Sequence, residues 1–526
     1  MFIKWKKFTY HHKKKNHLLK FVFFSYLYSS MESNSSIDED NPQQKKLKLL
    51  CDLIDHTQNP SPPIITLSDD VIEHIISLLP IKLASQSSIL SKRFEKSWQH
   101  SIYLCFNFLL SKKYSQSEIA DIVHRVIIGH SNKKIETFQL CLDSNRLEDL
   151  IHIWLRIVLL KNPSVVDLDF LMGRPYAGPF VVPFQHFDIE SIQHLRFAYC
   201  VLNFPTEKFK NLHFLRTLVL RHVNVKPNFV KTVVDNSPLL ESMDIVKCYG
   251  LRHFKIYASA LKFFKKLKIA DCYRLDSAFV DAPTLRVFHF IGKPRNLDFN
   301  DRMYELQDVM FNFTIVPYAV PKNRMEKLMP FVSHVRVLTI SSTLLEDLCS
   351  TLEQGKIKGP KPYLWYLKEV QLLMETSSFL NPYDIINFLD KCPVLERFFF
   401  DMQSFAFDRT CQLWLLNDKE KFEQYEKQLP FLKLVKVSNF KFSEIEKQLL
   451  RFFLEKAVNL ETLAIFGMRN YRFTKKNAPA IVDLVNLLDS WKTSPTAKVN
   501  VYRYRHKEDG EILPAHQDFI KYYPYY

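Results

Sequence analysis

The segment LRTLVLRHVNV (215–225) contains the pattern on which the fold of this chain depends. Apolar residues occupy the first, fourth and sixth positions of LRTLVL, and the same pattern returns as LESMDI at 240 and FKKLKI at 264. Thirteen such copies can be aligned, and the steps between their starts are 21 to 37 residues. Because one apolar hexamer is common but thirteen at similar spacing are not, the sequence predicts an internal repeat. The copies begin at residues 135, 165, 192, 215, 240, 264, 285, 310, 335, 367, 395, 432 and 460.

Apolar hexamers at this period are typical of leucine-rich repeats, in which each copy contributes one strand and then a helix or an irregular return segment. We therefore predict an α/β protein with a leucine-rich-repeat solenoid, a curved parallel sheet with helices on its outer face. Segments 227–241 and 382–396 are predicted return helices, each ending at a proline, Pro238 and Pro393, just before the next strand.

The cysteines agree with this repeat. Cys200, Cys248 and Cys272 each come eight residues after the start of their copy, where the pattern places Asn or Cys facing the turn. We predict that these three are buried turn residues without a catalytic or metal-binding role. The nine cysteines include no CxxC pair, which indicates free thiols in a reducing compartment, the nucleus and/or the cytoplasm.

Alternate strand residues should point away from the core and form an open concave face. If the protein selects a target, we expect contact through Arg196, Arg221, Lys266, Lys268, His289 and Arg397, whose charge favours an acidic or phosphorylated partner. The alternative is that these residues only solvate the sheet. Other predicted members of the face are His194, Thr217, Thr314, Thr339 and Gln371.

A helical segment, IITLSDDVIEHIISLLPIKLASQSSILSKRFEKSWQH (64–100), precedes the repeats. Its apolar residues at 71, 72, 75, 76 and 79 line one face of a helix that Ser68 or Thr66 caps and Pro80 ends. A second helix is expected from about Ala84 to Leu90, and a third with Phe94 and Trp98. Three short helices cannot bury their faces alone, so a partner or the next domain must cover them.

This segment resembles an F-box of the kind found in plant F-box proteins with leucine-rich-repeat and FBD regions. It departs from the family pattern at Ser68, where proline is usual, and at Phe94, where tryptophan is usual. The stretch 429–467 resembles the FBD region, with a helix from Ser443 to Lys456, and a final helix near 478–491 and a strand at 499–504 would close the solenoid. The matching F-box positions are Leu67, Asp69, Ile72, His74, Ile75, Ser77, Leu79, Pro80, Lys82, Ala84, Ser88, Leu90, Ser91, Lys92, Arg93 and Trp98.

The resemblance implies a non-catalytic adaptor. Its F-box would dock on the Skp-type adaptor of a cullin ubiquitin ligase, and its solenoid would bind a target protein, with no cofactor and no metal ion. Two alternatives stay open: a leucine-rich-repeat scaffold with a degenerate F-box, and an ordinary three-helix cap on the next domain. The residues implied for docking are Leu67, Asp69, Ile72, Ile75, Leu79, Pro80, Leu90, Ser91, Lys92, Arg93 and Phe94.

Composition excludes several other classes of protein. The net charge is +16, but seven lysines in residues 1–30 leave +9 for the rest, and this remainder is interspersed, so we expect neither nucleic-acid nor membrane binding. Only 9 glycines occur, and nucleotide-loop, zinc-protease and nucleophile-elbow motifs are missing from the sequence.

The chain divides into a leader and linker (1–63), the F-box (64–105), the solenoid (106–428), the FBD-like region and cap (429–505) and a tail (506–526). Two interpretations of residues 1–30 stay open, since the working chain could instead begin at Met31.

Overall fold

The computed structural model describes residues 68–79, 81–87, 95–170, 179–183, 187, 190–202, 212–292, 296–300, 303–313, 324–353, 363–374, 380–402, 407, 418–467, 478–502 and 512–516. Nearly all of them belong to one compact unit, Glu73–Tyr526. The other unit, Met1–Ile72, contributes only residues 68–72 to this description.

Within these ranges fifteen strands form one sheet, in which all neighbours are parallel and spatial order follows chain order. Their inward side chains join one hydrophobic cluster that extends along the chain from Ile81 to Ala497. The strands are β1 (Tyr103–Phe106), β2 (Thr137–Cys141), β3 (Val165–Asp169), β5 (His194–Ala198), β7 (Thr217–Arg221), β8 (Ser242–Val246), β10 (Lys266–Ala270), β12 (Val287–Gly292), β14 (Asp308–Phe313), β15 (Val337–Ser341), β16 (Glu369–Leu373), β17 (Arg397–Asp401), β18 (Leu434–Phe440), β19 (Thr462–Gly467) and β20 (Lys498–Tyr502).

Each of the thirteen predicted copies overlaps a strand of this sheet, which confirms the repeat. In eleven of them the strand begins two residues after the predicted start. The frames at 165 and 310 are wrong: Val165 pairs with Thr137 and Asp308 pairs with Val287, so these copies begin at 163 and 306. Residues 306–313 are apolar at five positions and satisfy the pattern in two frames, and only pairing with β12 selects one. Thr314 lies outside the described residues.

Helices occupy the return segments of most repeats, and those within 227–241, 382–396 and 443–456 confirm the predicted ones. In the described part of the chain, no helix has the length and apolar character that crossing a bilayer requires. The helices are α1 (Asp69–Ser77), α2 (Ile81–Ser87), α3 (Phe108–Lys113), α4 (Gln116–Gly129), α5 (Glu148–Leu159), α6 (Pro227–Asn236), α7 (Arg324–Val332), α8 (Ser342–Glu353), α9 (Pro382–Leu389), α10 (Lys419–Glu423), α11 (Glu444–Lys456) and α12 (Ala478–Ser490).

Three consecutive return segments are strands, although helices were expected. β9 (His253–Tyr257), β11 (Ser277–Asp281) and β13 (Asn296–Phe299) form a separate parallel sheet, and β4 (Phe180–Val182) pairs with β6 (Cys200–Leu202) in another. The copies at 240, 264 and 285 are followed after only 24, 21 and 21 residues by the next, which leaves little chain for a helix. Every second residue of β9 is buried, so a five-residue strand covers the core here with fewer residues than a helix would need.

The predicted burial of Cys200, Cys248 and Cys272 at the turns is confirmed. Tyr199, Lys247 and Asp271 have φ of 57°, 51° and 51°, and this left-handed turn directs the next side chain inward. That next residue is Cys200, Cys248 or Cys272, and each is buried. Cys248 Sγ lies 3.5 Å from the carbonyl oxygen of Leu220, and Cys272 Sγ lies 3.8 Å from that of Ile245, both on the preceding strand. These thiols therefore join neighbouring repeats at their turns.

The helices before β1 are hydrogen-bonded directly to the start of the sheet. The Ile102 amide donates to the Ser77 carbonyl at 2.9 Å, and Ser101 Oγ donates to the Leu79 carbonyl at 2.8 Å. The second helix begins at Ile81, earlier than the predicted Ala84. A 3-10 helix, Ser97–His100, follows and places Trp98 against the core. The described end of the F-box-like segment, residues 95–103, thus continues directly into β1.

His130 stabilises this junction as a neutral imidazole. Its Nε2 lies 2.8 Å from the Ser101 carbonyl oxygen, and its Nδ1 lies 2.8 Å from Lys161 Nζ. Because Lys161 can only donate, Nδ1 must accept and Nε2 must carry the proton. Burial, reinforced by the charge of Lys161, lowers the pKa of His130 to about 4.

We predict that Gly250→Ala destabilises the solenoid more than Gly292→Ala. Both glycines have left-handed backbones, with φ of 92° and 146°. A Cβ at Gly250 would overlap Asn224 Oδ1 and lie 2.7 Å from the Val225 carbonyl oxygen, whereas the nearest atom at Gly292 is 3.8 Å away. We expect a loss of about 3 kcal/mol for the first variant and about 1 kcal/mol for the second, measured by urea unfolding. Equal losses would show that the close contact at Gly250 has no energetic weight.

We also predict that acidification destabilises the junction through His130. The folded-state pKa lies below that of a free histidine, so the unfolded state binds more protons and stability falls as pH drops from about 6.5 toward the folded value of about 4. In His130→Asn the melting temperature should be lower at pH 7 but should fall less between pH 7 and pH 5. A decrease as steep as in the unaltered chain would assign the effect to other groups.

Candidate functional site

The residues predicted to dock on a Skp-type adaptor are only partly within the described structure. Leu67, Pro80 and residues 90–94 lie outside it, and Asp69 and Ile72 are described as backbone positions of α1 alone. Ile75 and Leu79 are half-buried, whereas Ile76 is 3% exposed and belongs to the inward side. One face of the helical segment therefore packs on the protein, and Ile75 and Leu79 keep accessible apolar surface.

The predicted target-binding residues lie on the open face of the fifteen-stranded sheet, as their strand positions require. Arg196, Lys268 and His289 occupy the middle of their strands, and Arg221, Lys266 and Arg397 lie at strand ends. Strand pairing aligns the middle positions of neighbouring strands in one row across this face. From β3 to β18 the row consists of Asp167, Arg196, Val219, Asp244, Lys268, His289, Met310, Thr339, Gln371, Phe399 and Lys436.

Several of the basic residues in or beside this row have acidic partners within the chain. Arg196 lies 3.5 Å from both Asp167 Oδ2 and Asp169 Oδ2, and Arg397 Nη1 lies 2.8 Å from Glu369 Oε2. Burial raises the pKa of the Asp167 carboxyl, while the charge of Arg196 acts in the opposite direction. An acidic target would have to compete with these carboxylates for the arginines.

The three remaining basic candidates differ in accessibility. Lys266 and Arg221 are half-buried, and Lys268 is 6% exposed although it points to the open side. Lys268 pairs in register with Asp244 of β8 and with His289 of β12. Lys268 is therefore less accessible to a partner protein than Lys266 or Arg221.

A segment of the C-terminal region lies on the same face over β14 to β18. We call residues 512–516 the tail segment, and Asp308, Thr339, Glu369, Arg397 and Lys436 the tail-binding surface. Lys436 Nζ donates to the Ile512 carbonyl at 2.8 Å, and Arg397 Nη2 donates to the Leu513 carbonyl at 2.8 Å. The Ala515 amide donates to Glu369 Oε1 at 2.6 Å.

His516 ends this set of contacts in a buried position. Its side chain is 3% exposed; Nδ1 lies 2.6 Å from Thr339 Oγ1, and Nε2 is hydrogen-bonded to Asp308 Oδ1. Burial by itself would raise the pKa of the Asp308 carboxyl, but the hydrogen bonds from His289 and His516 hold it well below its ordinary value. Burial lowers the pKa of His289.

His289, Asp308 and His516 could also hold a metal ion. Within the described residues they place three possible ligand atoms within 4.8 Å of one another, and imidazole with carboxylate is a ligand set that Zn²⁺ accepts. The positive charge of Lys268 acts on His289 and opposes a second cation there. The hydrogen bond from His516 to Asp308, with His289 Nε2 3.4 Å from the same oxygen, favours the metal-free arrangement of these atoms.

Sequence reasoning missed the tail segment, Asp308 and Lys436. Residues 506–526 have no copy of the repeat, and the wrong frame at 310 left Asp308 outside its strand. With β14 in its correct frame, Asp308 would have been assigned to the open face. No pattern in the sequence indicated that His516 lies beside it.

Comparison with known proteins agrees with this architecture. The family model described as At1g61320/AtMIF1, LRR domain, matches residues 126–485. The putative FBD-associated F-box protein At1g61330 of Arabidopsis thaliana is 30% identical over 409 residues, which cover 77% of this chain and 91% of that protein. The FBD-associated F-box protein At1g61320 of the same plant is 26% identical over 415 residues, 78% of this chain and 89% of that protein.

A third relative extends the likeness to proteins named for all three regions. The F-box/FBD/LRR-repeat protein At3g14710 of Arabidopsis thaliana is 26% identical over 253 residues, 47% of this chain and 49% of its own length. The family model spans well over half of the chain, and the repeated strands within residues 126–485 agree with it. The chain therefore belongs to the plant F-box/leucine-rich-repeat proteins of the At1g61320 family, with an FBD-like C-terminal region.

Proposed function

We propose that this chain is the substrate-recognition adaptor of a Skp–cullin–F-box ubiquitin ligase. Its F-box would bind the Skp-type adaptor and, through it, a cullin, and the open face of the solenoid would bind a target protein. Membership of the F-box family supports this role. We place the assembly in the nucleus and/or the cytoplasm, where free thiols persist.

The observation that carries the proposal is the direct connection between the F-box-like helices and the sheet. Ser77 and Leu79 accept hydrogen bonds from Ile102 and Ser101 at the edge of β1, and His130 fixes Ser101 from the other side. An adaptor must hold its target at a defined place beside the ligase, because proximity is what it contributes. The hydrogen bonds at this junction would hold the F-box-like helices in a fixed position relative to the first strand of the solenoid.

The chemistry of the cysteines supports a non-catalytic role. A cysteine-based ligase needs an accessible thiolate, and its thiol pKa is usually lowered. Burial raises the pKa of Cys105, Cys141 and Cys248 to about 12, and it also raises the pKa of Cys200, Cys272 and Cys392. Among the cysteine side chains that the structure describes, each is therefore a protonated thiol at neutral pH.

We predict that the full chain captures a purified plant Skp-type adaptor and that the double variant Leu79→Asp, Pro80→Ala loses this binding. A charge at a half-buried docking position should weaken an interface by more than about 30-fold. The measurement is a titration of the adaptor by calorimetry. Leu487→Asp is the matched control, since Leu487 is 41% exposed on α12, next to the last strand of the sheet, whereas the F-box segment adjoins the first.

Melting temperatures of both variants should be measured beside the titration. Loss of binding in a folded double variant, with Leu487→Asp unaffected, supports the adaptor role. If the folded, unaltered chain does not bind the Skp-type adaptor, the proposal is wrong, and a repeat scaffold with a degenerate F-box takes its place.

A further inference from the structure

The tail segment crosses five strands in order. Ile512 contacts β18, Leu513 contacts β17, Ala515 contacts β16, and His516 contacts β15 and β14. Parallel strands lie about 4.8 Å apart and an extended chain advances about 3.3 Å per residue, so four steps of about 13 Å in all match the three gaps from β18 to β15. An extended peptide lying across the strands is the geometry that these contacts define.

Most of the contacts are to the backbone of the tail segment. Two carbonyl groups accept from Lys436 and Arg397, and one amide donates to Glu369. Backbone groups are common to every peptide, so these three contacts by themselves select no particular sequence. The Arg397 side chain also pairs with Glu369 and lies over the Phe399 ring, which fixes the orientation of both charged groups.

One side chain supplies selectivity. His516 is the only described residue of the tail segment that is buried; Ile512, Leu513 and Pro514 are half-buried and Ala515 is exposed. The imidazole is hydrogen-bonded to Asp308 Oδ1 through Nε2 and to Thr339 Oγ1 through Nδ1, and Thr339 is only 1% exposed. A side chain without these ring nitrogens would lose both bonds, leaving, among the described residues, Thr339 only Gln371 Oε1 at 3.3 Å and Asp308 only His289 Nε2 at 3.4 Å, so the site disfavours it.

The tail segment is not part of the sheet or of the core. It contributes no strand to the sheet, and it contacts side chains on the open face, whereas the hydrophobic cluster lies on the inward side. Hydrogen bonds on an open surface can be exchanged for the same bonds to another chain. The tail segment therefore behaves as a ligand that is covalently attached to its own binding surface.

We propose that the tail-binding surface is a peptide-binding site for an extended segment of a partner protein, read through its backbone and one histidine, and that the tail segment occupies this site in cis. A partner peptide must displace the tail segment, whose attachment gives it a high local concentration. That the partner is a ligase target rests on the proposed function, whereas peptide binding itself does not.

The test uses a fluorescently labelled synthetic peptide of residues 510–518, GEILPAHQD, and a second peptide with alanine in place of the histidine. Each is titrated by fluorescence anisotropy into the full chain and into the full chain carrying Ala515→Pro and His516→Ala. Proline removes the amide that donates to Glu369, and alanine removes the imidazole, so the variant should release its own tail segment.

We expect the GEILPAHQD peptide to bind the variant chain at least about tenfold more tightly than it binds the unaltered chain. On the variant chain, the alanine peptide should bind at least about tenfold more weakly than the GEILPAHQD peptide. Adding Thr339→Val to the variant chain should weaken the histidine peptide and leave the alanine peptide unchanged. This substitution conserves shape and removes the hydroxyl that contacts the imidazole and Gln371 Oε1, and only the first contact depends on the peptide.

Failure of the variant chain to bind the histidine peptide, or equal binding of the two peptides, would overturn the site. Equal binding by the unaltered and variant chains would overturn occupation in cis. The assay contains no Skp-type adaptor and alters no F-box residue, so its failure is distinguishable from failure of the proposed ligase role.

Discussion

The structure depends on the pairing of parallel strands from one repeat to the next. No single repeat can bury its own apolar residues, so each strand needs its neighbours both for backbone hydrogen bonds and for a covered core. The ladder extends past the strands at both ends. Before them, amides such as those of Glu241 and Lys265 donate to the preceding repeat at 2.8 Å, and after them the left-handed turns continue the bonding at Lys247 and Asp271.

This constraint also determines what the open face can do. Register brings the middle residues of successive strands side by side, so charges on neighbouring repeats neutralise one another before any partner arrives. Arg196 is held by Asp167 and Asp169, and Arg397 by Glu369. Because their charges are partly neutralised, these groups distinguish ligands weakly by net charge but well by hydrogen-bond geometry. The tail segment is bound through hydrogen bonds of this kind.

At the N-terminal end of the sheet, the edge of β1 is covered by other parts of the chain. There the ladder does not remain open, because the F-box-like helices cover it and Ser101 and Ile102 bond back to the end of α1 and the residues that follow. His130 and Lys161 complete this junction with a buried neutral imidazole whose geometry allows one tautomer. These short-range contacts attach the F-box-like helices directly to the first strand of the sheet.

Much of the fold could be predicted because it is periodic. Thirteen strands, three return helices and the inward turn cysteines follow from local patterns that each repeat contains in full. The starts of the copies at 163 and 306 could not be assigned correctly from the sequence, because their apolar residues fit the pattern at two different starting positions. Only the pairing with a neighbouring strand shows which start is correct. The return strands β9, β11 and β13 depended likewise on the short distance to the next repeat.

The sequence by itself therefore determined the repeat, the α/β class, the F-box resemblance and the residues that face outward. Only the tertiary structure decided which of those residues act together. Asp308, Thr339 and His516 are far apart in the chain, and the last of them belongs to no repeat. Periodicity specifies which way a side chain points within its own repeat; a non-periodic segment that returns to the sheet is positioned by contacts that no local pattern encodes.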